Sequence, residues 1–245
     1  MTQPYYQDDA VTIFHGDCRE ILPGLSGVDL FFTSPPYNLG TSTGGGIGAG
    51  SLAGMKLIHG YASHGDDMPQ DEYDAWQRQV VRMMWDALSD TGAIFYNHKP
   101  RSTDGTMVLP TIYGDGLPLR QVVIWNRETG LNFSPTFFLP KCEWIMVWAK
   151  PAWQLVDRSA SQVGDVWTIR PENSQRHPAP FPLALPKRAI AATSARLVCD
   201  PFMGSGTTLR AAKDLGRKAV GIELDERYCE IAATRLGQEV LPLTW

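Results

Sequence analysis

The segment Asp200-Pro-Phe-Met-Gly-Ser-Gly-Thr-Thr208 joins a short apolar run, residues 197–200, to a stretch with helical spacing. Glycines at 204 and 206 let a backbone turn sharply and approach a ligand that a Cβ would keep away. Glu223 closes the next apolar run, 219–223, seventeen residues after Gly206, and a carboxylate there can accept hydrogen bonds from both hydroxyls of a ribose. A bare Gly-x-Gly also serves as a plain turn, but strand, glycine turn, helix, strand and acid in series point to a nucleoside. A dinucleotide site opens its helix with Gly-x-Gly-x-x-Gly so that a pyrophosphate rests on the helix N-terminus. Here Thr208 and Leu209 stand where the third glycine would be, and Asp200 precedes the turn. A carboxylate repels phosphate and attracts an amino group. S-adenosylmethionine (SAM) has an α-amino group and no phosphate, so the pattern favours SAM over NAD.

Ser34-Pro35-Pro36-Tyr37 follows the apolar run Val28-Asp-Leu-Phe-Phe-Thr33. Two prolines in a row stiffen the backbone and remove two N–H groups. What remains is a fixed pair of acceptors, the Ser34 hydroxyl and the Pro35 carbonyl, beside the aromatic face of Tyr37. Acceptors facing the exocyclic amine of a planar ring draw its lone pair out of conjugation and aim it at an electrophilic methyl. In isolation the same tetrapeptide reads as a proline-rich turn; beside a SAM site it reads as a methyl-acceptor site.

The elements that must position these residues alternate. Residues 11–15, 28–33 and 93–98 read as strands. Residues 122–125 and 143–149 read as an antiparallel pair, and the helix spanning 70–88 is ended by Thr91-Gly92. Residues 171–186, rich in proline, are expected to be neither helix nor central strand, with a helix at 187–193 after them. Strands at 197–200 and 219–223 then alternate with helices at 208–215 and 226–236, which implies a parallel sheet covered by helices. Residues 40–54 are rich in glycine and read as a mobile loop.

Composition bounds the rest. The 245 residues suit one α/β domain, with 43% hydrophobic and 20% charged residues, near average globular usage. No run approaches the roughly eighteen apolar residues of a membrane span, and the start lacks the basic and apolar regions of a signal peptide. Four scattered cysteines and five histidines give no zinc or disulfide pattern, so no metal and a reducing cytoplasm are expected. The net charge of −4 hides a split: residues 1–90 hold 4 basic and 12 acidic side chains, residues 120–190 hold 9 and 5. The positive stretch could face a polyanion or simply be solvated.

Taken together, Ser34-Pro-Pro-Tyr37 and Phe202-Met-Gly-Ser-Gly206 resemble the signatures of the exocyclic-amine DNA methyltransferases, the N4-cytosine and N6-adenine DNA methylases. The order, Pro-Pro-Tyr first and the glycine loop last, is similar to their circularly permuted beta group. The resemblance implies an α/β fold: a circularly permuted Rossmann-like, mostly parallel doubly wound sheet with an antiparallel hairpin and a small recognition insert. It implies one domain, with a catalytic half over about 11–150, a short target-recognition segment over about 151–175 and a SAM-binding half over about 176–240. Asp200, Pro201 and Phe202, with the turn Gly204, Ser205, Gly206, Thr207 and Thr208, would hold the amino-acid part of SAM. Glu223 would hold the ribose and Leu224 the adenine, capped by Asp17 and Cys18. His177, Pro178 and Phe181 match the segment that closes over the methionine end. Ser34, Pro35 and Pro36 would grip the amine, and Tyr37 would stack on a flipped base, offsetting much of the flipping cost. Asn38, Lys99, Arg101, Lys141, Arg158, Arg170 and Arg176 are the candidate DNA contacts.

The implied partner is double-stranded DNA, with single-stranded DNA and a homodimer left open, and the implied setting is a bacterial or phage-encoded intracellular enzyme, with or without a restriction partner. C5-cytosine chemistry, which needs a Pro-Cys nucleophile, is excluded because no cysteine follows a proline. Serine in the first motif position is commoner among N4-cytosine enzymes, so that base is favoured over N6 of adenine. An RNA amine methyltransferase and a non-catalytic SAM- or DNA-binding module are the rival readings.

Overall fold

The computed structural model describes residues 3–38, 68–103, 106–130, 135–171 and 181–238, and its central strands are apolar and buried on both faces. The strands are β1 (Tyr6–Gln7), β2 (Val11–His15), β3 (Val28–Thr33), β4 (Leu88–His98), β5 (Arg101–Thr103), β6 (Thr106–Val108), β7 (Leu119–Asn126), β8 (Cys142–Ala149), β9 (Val166–Thr168), β10 (Leu197–Asp200) and β11 (Lys218–Glu223). The helices are α1 (Cys18–Ile21), α2 (Gln70–Ala87), α3 (Arg158–Ser161), α4 (Ala184–Ala191), α5 (Thr207–Asp214) and α6 (Glu226–Gly237). Nine strands form one sheet in the order β1-β2-β11-β10-β3-β4-β8-β7-β9, and β5 and β6 make a separate hairpin. From β2 to β4 all pairings are parallel; β4-β8 and β8-β7 are antiparallel. The sheet is therefore α/β and mostly parallel, with antiparallel pairs.

Leu30 and Phe32 of β3, Phe95 of β4 and Ile145 and Val147 of β8 pack on one face with Leu185, Leu209 and Ala232 of α4, α5 and α6. Phe31, Ile94, Tyr96, Met146 and Trp148 point to the other face, against Tyr73, Trp76, Val80 and Met84 of α2. The crossover β10-α5-β11 covers one face and steps one way, while β3-α2-β4 covers the other and steps the opposite way. Strands β10 and β3 are neighbours, so the direction of winding reverses between their carboxyl ends, the place where open α/β sheets bind ligands.

Two local expectations are corrected. Thr91-Gly92 does not end α2: the helix stops at Ala87 and β4 begins at Leu88, with the glycine inside a bulge where pairing shifts between Val28 and Leu30. A Cβ on Gly92 would lie 2.9 Å from the Val28 carbonyl oxygen. Helix α4 starts at Ala184 and includes Pro186, tolerable because the first turn has no intrahelical partner for that N–H. Within the described part of 151–175, β9 pairs in parallel with β7 and forms an edge of the main sheet. No described helix is long and apolar enough to cross a membrane, and no group of three or more His, Cys, Asp or Glu among the described residues could hold a metal ion.

Candidate active site

Where β3 and β10 end side by side, Asp200 lies fully buried. Its Oδ1 accepts from Thr33 Oγ1 at 2.7 Å and from the Phe202 amide at 3.1 Å, and its Oδ2 accepts from Thr208 Oγ1 at 2.7 Å. Burial pushes its pKa up to about 6 despite these three donors. The contact expected between Asp200 and a ligand's amino group is not what this arrangement offers: the carboxylate has no exposed surface, and its donors come from the protein. Asp200 instead fastens the end of β3 to the start of α5.

The glycine turn follows. Gly204 and Gly206 have φ of +51° and +78°, and a Cβ on Gly206 would meet Ala232 Cβ at 3.0 Å. Side chains there would be strained in conformation and crowded by α6. Glu223, at the end of β11, accepts from the Gly204 amide on Oε2 and from the Asp225 amide on Oε1, both at 2.9 Å. Its pKa is raised because burial outweighs the backbone donors. Each carboxylate oxygen keeps a lone pair for another donor. The Glu223 carbonyl accepts from the Gly16 amide at 2.9 Å, which brings Asp17 and Cys18 alongside. Asp17 caps α1 and pairs with Arg19. The buried Cys18 thiol is pushed up to about 12, so it contributes shape rather than nucleophilicity. Leu224 adjoins through its carbonyl, 3.1 Å from His15 Nε2. Phe202 packs edge-on to Trp76 and Phe181 edge-on to Phe32. His177 and Pro178 lie outside the described residues, as do residues 40–54 and Arg176.

Ser34 and Tyr37 belong to a network invisible as a motif. Tyr37 Oη donates to Glu143 Oε2 at 2.9 Å, and Ser34 Oγ lies 2.9 Å from Tyr37 Oη. A carboxylate only accepts, so the Tyr37 proton is committed to Glu143 and the Ser34 proton to Tyr37. Asn97 Nδ2 donates to Tyr37 Oη and Glu143 Oε2, both at 2.8 Å, and Arg127 Nη1 donates to Glu143 Oε1 at 2.9 Å. Asn97 Nδ2 also reaches Ser34 Oγ at 3.3 Å, so Ser34, its proton on Tyr37, keeps one lone pair as an acceptor. Behind the prolines, Tyr73 Oη donates to the Pro36 carbonyl at 2.7 Å and lies 2.9 Å from His98 Nε2. Burial holds His98 neutral, lowering its pKa to about 4, and its ring packs 4.6 Å from that of Tyr37. Glu143, Asn97, Arg127, Tyr73 and His98 were not singled out from sequence. For all but Tyr73, which lies in α2, the signal is a polar residue inside or at the end of an apolar strand, where burial demands a partner.

The cationic candidates separate. Arg101 donates to the Tyr37 and Asn38 carbonyls, each at 2.7 Å, so it braces the loop rather than offering itself to phosphate; Asn38, at φ +53°, is held the same way. Lys99 Nζ stands 5.8 Å over the Tyr37 ring. Lys141 is exposed at the start of β8, and Arg170 pairs with Glu128 at 2.7 Å. Arg158 is not brought to this edge. It follows Val156, whose amide bonds the Ala192 carbonyl beyond the end of α4, before β10 begins and hence at the opposite end of the sheet.

The glycine turn and the Ser-Pro-Pro-Tyr loop meet at the topological switch point, and comparison with known proteins gives the class. Residues 28–234 match the family model described as DNA methylase, and the chain belongs to this N4-cytosine/N6-adenine DNA methylase family. Type II methyltransferase M.ScaI of Streptomyces caespitosus is 30% identical over 98% of this chain and 86% of its own length. Among solved structures, PvuII DNA methyltransferase (cytosine-N4-specific) superposes with a TM-score of 0.74 at 20% identity, covering 98% of this chain and 91% of that one. The putative DNA modification methylase TTHA0409 of Thermus thermophilus, in complex with S-adenosyl-L-methionine, gives 0.64 at 24% identity over 91% of each chain. The two structures establish likeness of fold.

Proposed function

We propose that this protein transfers a methyl group from SAM to the exocyclic amine of a flipped base in double-stranded DNA, with N4 of cytosine as the favoured target. The acceptor lone pair that Ser34 keeps, its proton held by the Ser34–Tyr37–Glu143 chain, carries this reading. An acceptor with its own proton committed elsewhere can take a hydrogen from an NH2 group and draw the nitrogen lone pair out of the ring. The Pro35 carbonyl, without a neighbouring N–H at Pro36 to compete, is the second acceptor.

The residues at the switch point fit SAM. Glu223 keeps lone pairs for two ribose hydroxyls, and the turn at Gly204–Gly206, which takes positive φ at both glycines, brings the Gly204 amide onto that same carboxylate. Asp17 and Leu224 flank the adenine side, and Phe181 the methionine side. When bound, SAM supplies an electrophilic methyl on a sulfonium. The protein's part is positioning: Asp200 and Thr33 tie the acceptor loop to the cofactor turn, which would hold a bound amine toward the methyl group. The amine nitrogen bonds the methyl carbon as the carbon–sulfur bond breaks, and the methylated nitrogen then releases one proton to solvent. The ring of Tyr37 remains the stacking surface for the base, with its hydroxyl anchored. Serine at position 34 favours cytosine; an amine beside a ring nitrogen is common to both bases.

The test is incubation with SAM and duplex DNA, digestion to nucleosides and mass spectrometry. N4-methylcytosine is expected. N6-methyladenine would revise the base and keep the reaction, whereas methylation of RNA alone, or SAM binding with no methylated product, would overturn the reading.

A further inference from the structure

Between β7 and β8 the chain forms a loop at the active-site end of the sheet, since its two ends carry Arg127 and Glu143. At this loop Phe138 is 98% exposed, flanked by Phe137 at 50% and Leu139 at 42%. Three consecutive apolar side chains, one of them wholly in water, make a contiguous exposed patch of the kind that marks an interaction site.

The loop base is held firmly. The Arg127 amide donates to the Lys141 carbonyl at 2.9 Å, and Arg127 Nη2 donates to the Pro140 carbonyl at 3.2 Å. A Cβ on Gly130 would lie 2.4 Å from that Pro140 oxygen, so only glycine allows this close packing. Pro135 and Pro140 bracket the segment and restrict its backbone. The same Arg127 guanidinium reaches Glu143, and Glu143 holds Tyr37. The exposed aromatic is thus built into the scaffold that orients the base-stacking tyrosine, with Lys141 beside it.

We infer that Phe138 is a wedge that enters the duplex base stack at the gap left when the target base swings out to Tyr37. A flat apolar ring on a segment anchored at its base, three residues from the exposed Lys141 and next to a site for an extruded base, matches the chemistry of that gap. Apolar side chains that intercalate unstack a step at a cost of a few kcal/mol and are repaid by protein contact. The inference rests on the proposed methylation of duplex DNA and adds how the base is kept out.

The experiment compares wild type, Phe138→Ala and Phe138→Trp on three substrates: matched duplex, duplex with the target base mispaired, and single strand. Readouts are dissociation constants, single-turnover methylation and the fluorescence of 2-aminopurine at the target position. Phe138→Ala is expected to weaken binding of matched duplex at least tenfold and to lose the fluorescence rise. On mispaired and single-stranded DNA it should remain within threefold of wild type, with melting temperature and SAM affinity unchanged. Phe138→Trp should retain function. Equal loss on all three substrates, or no loss on matched duplex, overturns the wedge; so does a variant altered only in sedimentation, which would make this surface a contact between copies. Absence of methyl transfer by the wild type would refute the parent reading, while binding and fluorescence would still decide the wedge.

Discussion

Replacing Glu143 by glutamine keeps the shape of the side chain and changes only what it can accept. The carboxylate takes hydrogen bonds from Tyr37 and Asn97 on one oxygen and from Arg127 on the other, and it is nearly buried. An amide has one accepting end. If its oxygen faces Tyr37, its NH2 group opposes the Arg127 guanidinium; if it turns over, the NH2 opposes Asn97 and the tyrosine proton. Either orientation sets donor against donor, which costs about 1–3 kcal/mol for a buried group. Loss of the ion pair adds roughly 1 kcal/mol, kept small because Arg127 is 23% exposed on its side chain. The expected destabilisation is about 2–4 kcal/mol, and for a chain of this size each kcal/mol lowers the melting temperature by roughly 2–4 °C. In the turned-over state the Ser34–Tyr37 chain also loses its polarity, and an amine substrate loses an acceptor worth about 1.4 kcal/mol, or tenfold in rate. Calorimetric melting and single-turnover methylation, with SAM affinity as the control, read the two effects. A melting temperature within 1 °C of wild type together with a rate within twofold would falsify the donor–acceptor accounting.

Glu223→Ala should weaken SAM binding by about 1.5–3 kcal/mol, measured by titration calorimetry; unchanged affinity would remove Glu223 from the ribose. Stability against pH tests the two buried titratable groups together. His98 stays neutral down to about 4 when folded but gains a proton near its ordinary 6.5 when unfolded, so its contribution is lost as pH falls from 6.5 to 4. Asp200 is protonated below about 6 when folded but only below 3.8 when unfolded, so its contribution grows as pH falls from 6 to 3.8. Each swing is about 3 kcal/mol and they oppose. Asp200→Asn should therefore steepen the loss of stability between pH 6 and 4, and a profile parallel to wild type would show that Asp200 does not titrate in that window.

Much of the sheet was legible because its central strands are buried on both faces and read as continuous apolar runs, and because Gly204 and Gly206 stand where only glycine is comfortable. The start of β4 was misplaced because Thr91-Gly92 carries the same turn chemistry in a bulge as at a helix end. The edge strands β1 and β9 are too short to show periodicity. In the site, contiguous signatures such as Ser34–Tyr37 could be read directly. Glu143, Asn97 and Arg127 could not, since their meaning lies in register: β4 and β8 pair Asn97 with Ile145 and His98 with Trp144, which sets Glu143 beside the tyrosine. The burial of Asp200 likewise depends on Thr33, 167 residues earlier.

That separation has a consequence for synthesis. Strand β3 waits for its neighbour β10 while the 167 residues that separate Thr33 from Asp200 are made, roughly ten to thirty seconds at ordinary elongation speeds. Throughout that interval an apolar strand destined for the middle of the molecule presents an open edge, the template on which nascent chains stick to one another. Yield from a cell should therefore follow chaperone supply and growth temperature more closely than the thermal stability of the finished enzyme.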